Sequence, residues 1–278
     1  MTKHYLLDQA VYSNDMRFSP FILTDFLIAD ASKKKNHFLH FWECDQTMIL
    51  GMKDTRVPYF EEAIHSLLSF GYTPVIRNSG GLGVIADNGI LNISLIFSHP
   101  EHSRYTIDEG YQKMVTLTQD AFPEKKIDVY EIENSYCPGT YDLSIDGKKF
   151  AGIAQRRVKD GIAVMMYLSV TGDQSLRGEI VQKFYQAGLK EAFGEQGYPA
   201  VDPATMANLS SLLDIPLQID DVKQRIATSY SQLHQPPQQM ESTDWRKQVI
   251  SDEEWQQNLQ KMIRRNQELK EFSHDTSL

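Results

Sequence analysis

The stretch Ser135-Tyr-Cys-Pro-Gly-Thr-Tyr-Asp-Leu-Ser-Ile-Asp-Gly-Lys-Lys-Phe-Ala-Gly-Ile153 decides how this chain of 278 residues is read. It sets a cysteine before Pro-Gly, hence in a turn, and then places apolar runs on both sides of Asp146-Gly147. Asp-Gly supplies the positive φ angles that a two-residue hairpin needs. The signal returns at Asp160-Gly161, so strands are expected at 141–145, 150–155, 156–159 and 162–170, as two hairpins in succession.

Upstream, residues 72–76 read as a strand that feeds Arg77-Asn-Ser-Gly-Gly-Leu-Gly-Val-Ile-Ala-Asp-Asn-Gly-Ile-Leu-Asn92. Within it, 84–86 and 90–97 read as strands joined by Asp87-Asn88-Gly89. Shorter strand-like runs cover 37–42 and 47–50, and a strand is expected within 127–132. Apolar spacing predicts helices after Ser19-Pro20, over 59–68 and 107–121, and within 175–193, 203–213 and 219–233. The class expected is α+β: a mixed or antiparallel sheet core flanked by helices, forming a catalytic domain over 1–235. The polar run His234-Gln-Pro-Pro-Gln-Gln239 opens an expected linker, 236–250. Ser251 and Glu254 form a capping-box pattern for a C-terminal helix, 251–278. Its stripe of Trp255, Leu259, Met262, Ile263 and Phe272 cannot bury itself and is expected to pack back on the main domain.

Composition narrows the functional classes. A net charge of −9 argues against broad nucleic-acid binding, which asks for a basic domain. Two cysteines, Cys44 and Cys137, make no disulfide framework, and no clustered Cys/His set suggests zinc. His99 and His102 come nearest to a metal pair and are better read as a surface loop; no metal is expected. The start, MTKHYLLDQAVYSND, lacks the pattern of a signal peptide. No apolar run approaches the roughly 20 residues of a membrane span. A cytoplasmic protein without a membrane partner is expected.

Three segments can carry chemistry. Gly80, Gly81 and Gly83 permit positive φ and close backbone approach to a ligand. The spacing is not that of a P-loop, and a strand rather than a helix follows, which excludes a dinucleotide fingerprint. A plain β-turn accounts for these glycines equally well. Cys137 has a turn context, although a free cysteine is more often a buried small hydrophobe than a nucleophile. Cys44 stands between Glu43 and Asp45, whose charges oppose a thiolate, and reads as structural. Finally, Lys148, Lys149, Arg156, Arg157 and Lys159 concentrate positive charge in an acidic chain. They form either a solvated hairpin or one lysine aimed into a site, with Ala151 and Gly152 leaving room beside it. In the second case Lys148, Arg156, Arg157 and Lys159 would offer a basic surface to an acidic protein partner.

In this order the segments resemble the biotin/lipoate protein ligase superfamily, over about residues 37–235. Arginine, a Ser-Gly-Gly turn and an asparagine on the next strand look like its lipoate-ligase signature. The resemblance implies acyl or substrate contacts for Arg77, Ser79, Gly80, Gly81, Asn92, Ala151 and Gly152, with Lys149 in the family's lysine position. Two features depart from ATP-dependent ligases: Ala86-Asp87 stands where they carry His-Asp, and Cys137 precedes the lysine hairpin. The long motif, with Gln155-Arg156-Arg157 after it, is similar to the cysteine-dependent octanoyl amidotransferase branch.

That likeness implies an acyltransferase that takes octanoyl, or lipoyl, from a lysine of the glycine-cleavage H protein. The acceptors would be lysines in lipoyl domains of 2-oxoacid dehydrogenase complexes. Cys137 would be the nucleophile and Lys149 its ammonium partner, and no cofactor would be required. An ATP-dependent lipoate–protein ligase, an octanoyl transferase fed by acyl-carrier protein, and an inactive carrier-binding module are the alternatives.

Overall fold

Asp146 and Gly147 both take positive φ, +51° and +74°, and turn β8 (Leu143–Ile145) into β9 (Lys148–Val158). In the computed structural model, which describes residues 2–12 and 16–272, β9 then leads through residues 159–160 into β10 (Gly161–Ser169). The two hairpins therefore share one long strand, and the break expected between 155 and 156 does not occur. Nothing there can end a strand, since Gln155 and Arg156 are neither Gly, Pro, Asn nor Asp, and both continue to pair with β10.

From β10 the large sheet grows antiparallel through β6 (Ile90–Ser98) to β2 (His37–Cys44). It then runs parallel to β1 (His4–Tyr12) and to β11 (Gln238–Glu241). With β7 (Asp128–Val129) at the far edge, the order is β11-β1-β2-β6-β10-β9-β8-β7. A small sheet, β4-β3-β5, is built from β3 (Thr47–Leu50), β4 (Thr73–Ile76) and β5 (Val84–Ala86). The class is α+β, as expected, with mixed sheets between helices.

β6 is buried at every position, which requires cover on both faces. Leu91, Ile93 and Leu95 pack under α3 (Ile107–Ala121) and α6 (Ile219–Leu233). Ile96 points the other way, into a cluster with Leu27 and Ile28 of α1 (Ser19–Lys34). α3 starts where the sequence places it because Thr106 and Glu109 close a capping box. The small sheet packs with α2 (Phe60–Ser69) and α4 (Gln174–Leu189). α4 stops short of the expected 193, and the stretch read as a helix over 203–213 holds only a short turn and α5 (Leu209–Leu213).

Strand β1 was not expected, and the segment read as a linker, 236–250, is secondary structure: β11 and then α7 (Ser242–Val249). Polar composition hid β11 because an edge strand contributes only its backbone, and three of its four side chains are exposed. The α7 segment is anchored by few residues. Trp245, 3% exposed, meets Phe38 edge-on at 5.4 Å, and Ile250 follows it into the same cluster. The tail packs in cis: α8 (Asp252–Arg265) opens at the Ser251–Glu254 box and buries Met262, and α9 (Leu269–Phe272) buries Leu269. Residues 273–278 of the expected tail helix lie outside the described residues. Among the described residues no helix is long and apolar enough to cross a membrane.

Trp245→Ala should therefore cost about 3–5 kcal/mol, as for other large core truncations. Urea denaturation measures it; a loss below about 1 kcal/mol would show that α7 is not part of the core.

Candidate active site

The glycine segment and the cysteine turn meet. β3 ends at Leu50, and Gly51 follows with no room for a side chain: a Cβ there would lie 1.9 Å from the carbonyl oxygen of Gly81. Gly81 itself has φ +92°, and its Cβ would fall 2.4 Å from Arg77 Nη2 and 3.4 Å from Cys137 Sγ. Two glycines therefore allow this loop to pass between β3 and the cysteine. Arg77 folds over its own loop and donates through Nε and Nη2 to Gly80 O at 3.1 and 2.7 Å, and through Nη2 to Leu82 O at 3.2 Å. With those carbonyls turned to the guanidinium, the Leu82 N–H donates to Cys137 Sγ at 3.3 Å.

Below the loop lies a fully buried carboxylate. Asp54 accepts from Gly51 N at 2.7 Å and from the Tyr185 hydroxyl at 2.7 Å, and Tyr185 accepts from Gly83 N. Burial pushes Asp54 up to about 6, against the opposing pull of these donors and of Arg77 and Lys53.

Cys137 is half-buried and has φ +48°, a left-handed conformation unusual for a residue with a side chain. The turn is held by Lys149, 4% exposed. Its Nζ donates to Ser135 Oγ (3.1 Å), Tyr136 O (3.0 Å) and Cys137 O (2.9 Å), and pairs with Asp142 Oδ1 at 2.9 Å. Asp142 Oδ2 in turn accepts from Ile132 N and Gly139 N. Burial raises the Asp142 carboxyl above its ordinary range, and Lys149 and these amides oppose the rise. Lys149 thus grips the cysteine's carbonyl, while the hydrogen bond to its sulfur comes from Leu82. Gly152 leaves the space: its Cβ would sit 3.3 Å from Lys149 Cε.

These groups border a cavity of about 320 Å³, at the lower end of ligand pockets, which run from roughly 300 Å³. Phe21, Trp42, Ile49, Val84 and Met165 give it apolar walls, and Arg77, Ser79, Gly80, Gly81, Asn92, Cys137, Lys149 and Gly152 also line it. Asn92, on β6, is 5% exposed, and its Nδ2 is buried without a hydrogen-bond partner among the described residues. Ala151 is the exception among the expected contacts. It is fully buried in the core beneath α3 and α6, paired with Leu143 and Leu168, and does not line the cavity.

The expected docking cations divide. Lys148 and Lys159 are exposed, although Lys148 also donates to Ala204 O. Arg156 and Arg157 are half-buried and committed. Arg156 bonds Asp25 Oδ1 at 2.9 Å and Asn78 O at 2.8 Å, and Arg157 bonds the carbonyls of Tyr105 and Thr106.

Several contributors had no signal of their own. Asp142 lies inside the quoted motif, but nothing in its spacing reveals that it faces Lys149. Tyr136 and Tyr167 join their hydroxyls on the cavity wall, with Gln174 Nε2 donating to Tyr136 at 3.0 Å. Asp87, beside the departing Ala86, is bound by Arg177 Nε at 2.7 Å and by the Tyr72 hydroxyl at 2.6 Å. Cys44 is buried between its acids, and burial first, then Glu43 and Asp45, pushes its thiol up to about 12. His99 accepts from Tyr105 N, closing its loop.

An apolar slot headed by a cysteine under a backbone amide, with a buried lysine–carboxylate knot behind it, is the candidate site. The chain belongs to the lipoyl protein ligase A/B catalytic domain family, whose model matches residues 18–231. It is 41% identical over 234 residues to the octanoyl-[GcvH]:protein N-octanoyltransferase of Exiguobacterium sibiricum, covering 83% of this chain and 85% of that one. The enzyme of the same name from Lysinibacillus sphaericus is 46% identical over 187 residues, 66% and 67% of the two chains. Among solved structures, lipoate-protein ligase A bound with ATP matches with a TM-score of 0.65 at 18% identity, over 96% of this chain and 94% of that one. A bipartite lipoate protein ligase from Thermoplasma acidophilum matches at 0.64 and 19%, over 96% and 92%. At these identities the structures establish a common fold.

Asp54 yields a pH signature. Its native value, about 6, exceeds the unfolded carboxylate's, so its protonated form contributes stability below about pH 4 that is lost as pH rises to about 6. The stability of the wild type relative to Asp54→Asn should fall by about 2 kcal/mol between pH 4 and 7. Urea titrations across that range measure it, and a constant difference would rule the linkage out.

Proposed function

We propose that the chain is an acyltransferase that moves an octanoyl group from a lysine of the glycine-cleavage H protein to lysines of lipoyl domains in 2-oxoacid dehydrogenase complexes. It does so through a thioester on Cys137. The single observation that carries the chemistry is the position of Cys137: in a left-handed turn, at the head of the apolar cavity, with the Leu82 N–H on its sulfur. The names of relatives at 41–46% identity support the donor and the transferred group.

In the first step the sulfur bonds to the acyl carbonyl carbon, the donor's C–N bond breaks, and the leaving lysine amine takes up the thiol's proton. In the second step the acceptor's amine attacks the thioester, sulfur leaves, and the thiol regains a proton. The octanoyl chain occupies the slot against Phe21, Trp42 and Met165, and Asn92 Nδ2 offers its unused N–H to the acyl oxygen. Arg77, Ser79, Gly80 and Gly81 form the loop that closes on the acyl head, and Gly152 keeps Lys149 in place. Lys149 acts by holding Tyr136 O and Cys137 O, which fixes the cysteine's direction. An amide is exchanged for an amide, so the reaction is nearly balanced, reversible, and requires neither ATP nor a cofactor. Lys148 and Lys159 are the exposed cations available to acidic carriers, and Arg156 and Arg157 shape the surface between them.

Incubation with octanoylated H protein, or with an octanoyl-thioester donor, should place one octanoyl group on Cys137 by mass spectrometry and transfer it to a lipoyl domain without ATP. Cys137→Ala should reduce transfer by roughly a thousandfold or more. Transfer that needs ATP and survives Cys137→Ala would replace this reading with a ligase. An unacylated Cys137 with no transfer would leave an inactive carrier-binding module.

A further inference from the structure

Strand β4 is an edge of the small sheet, yet its outer side is paired. Arg77 N points inward and donates to Leu50 O at 2.9 Å, so Ile76 turns its N–H and C=O outward. There the side-chain amide of Asn266, 5% exposed, takes the place of a neighbouring strand. Its Oδ1 accepts from Ile76 N at 2.7 Å, and its Nδ2 donates to Ile76 O at 3.2 Å and to Met262 O at 3.0 Å. The preceding residue, Arg265, donates to Arg77 O at 3.2 Å. Ile76 and Arg77 are thus held at every backbone polar group, one of them, Arg77 N, by the sheet itself and the other three by residues 265–266.

These contacts begin a continuous line of hydrogen bonds toward the nucleophile. Asn266 and Arg265 fix the backbone at 76–77. The Arg77 side chain fixes the carbonyls of Gly80 and Leu82, and the amide of Leu82 reaches Cys137 Sγ. The matched family domain ends at residue 231, so this support comes from a segment beyond it. Met262 and Leu269 hold the segment in the same apolar cluster as Leu50, Ile76 and Leu82.

We propose that Asn266 is a positioning residue for Cys137, acting through Ile76 and Arg77, with Arg265 as its auxiliary. The inference rests on the reading of Cys137 as the acyl-accepting thiol. An edge strand left open would let the loop drift, and the loss would fall on the step in which sulfur develops charge. The walls that bind the acyl chain would be unchanged.

The full-length protein carrying Asn266→Leu, Asn266→Asp, Arg265→Ala or Met262→Ala tests this, with kcat and KM for acylation by an octanoyl-thioester and the rate of Cys137 alkylation by iodoacetamide. Asn266→Leu should lower kcat about tenfold with KM changed less than about twofold, and slow alkylation in parallel. Asn266→Asp, which keeps the acceptor for Ile76 N–H, should recover part of the rate. Arg265→Ala, at an exposed position, should lower kcat about twofold to threefold and decides the matter if Asn266→Leu does not fold. Met262→Ala loosens the same packing but keeps the amide contacts, and should retain the wild-type kcat below its melting temperature. Wild-type kcat in Asn266→Leu, or in Arg265→Ala where it alone folds, overturns the proposal, as does a Met262→Ala loss equal to that of Asn266→Leu. A wild-type protein that alkylates at Cys137 but never acylates there would instead overturn the acyltransferase reading and leave the alkylation series to judge Asn266.

Discussion

Lys149 and Asp142 meet at 2.9 Å with 4% and 2% of their side chains exposed, and the geometry of the cysteine turn follows from that pair. Desolvating two ions costs more than their attraction returns unless hydrogen bonds satisfy what remains. Here they do. The ammonium has three further acceptors and the carboxylate accepts two backbone amides, and all five partners belong to the stretch from Ile132 to Gly139. An ion pair that contributes little net stability can still select one backbone path, because each alternative leaves a buried charge short of partners. The positive φ of Cys137 is a conformation that such a constraint can hold.

The opposite wall follows a different physical rule. No ion pair sets the position of Leu82; steric permission does, together with the Arg77 hydrogen bonds to Gly80 O and Leu82 O. The carbonyl of Gly81 occupies the volume a side chain at 51 would need, and Arg77 occupies what a side chain at 81 would need. Absent side chains bring a backbone N–H within 3.3 Å of a sulfur that an ion pair has aimed from the other side. One wall is specified by an ion pair and the other by volume and the Arg77 hydrogen bonds, so neither can compensate for an error in its partner.

Legibility in the sequence divides along the same lines. The Asp-Gly turn at 146–147 and the α3 and α6 boundaries were readable because turn chemistry, capping and apolar spacing are local. Gly81 was readable as a position needing freedom, but the reason, Arg77 and Cys137 against it, is tertiary. Lys149 was expected to face the thiol, and proximity in the motif suggested no more; its hydrogen bonds to the carbonyls of 136 and 137 depend on how the turn closes. Ala151 and Gly152 are neighbours in sequence, and only placement in the sheet separates a core residue from a cavity residue. β11 was illegible because pairing at an edge requires no particular side chains, and Asn266 because a side chain substituting for a strand has no periodicity.

The two cysteines carry the argument to its chemical end. Cys44 and Cys137 have the same thiol, and the difference lies in what each environment offers to a negative sulfur. Cys44 is 2% exposed on β2, with Glu43 and Asp45 beside it, and burial with those charges pushes it up to about 12. Cys137 is half-buried, receives an amide hydrogen bond, and opens on an apolar slot. A thiolate at the first site would have to form against desolvation and two carboxylates. Sequence context identified the first from its adjacent acids, because those charges are covalently close. The second was singled out by the resemblance of its motif, and only its amide donor needed the fold, since that comes from a residue 55 positions away, brought there by two glycines.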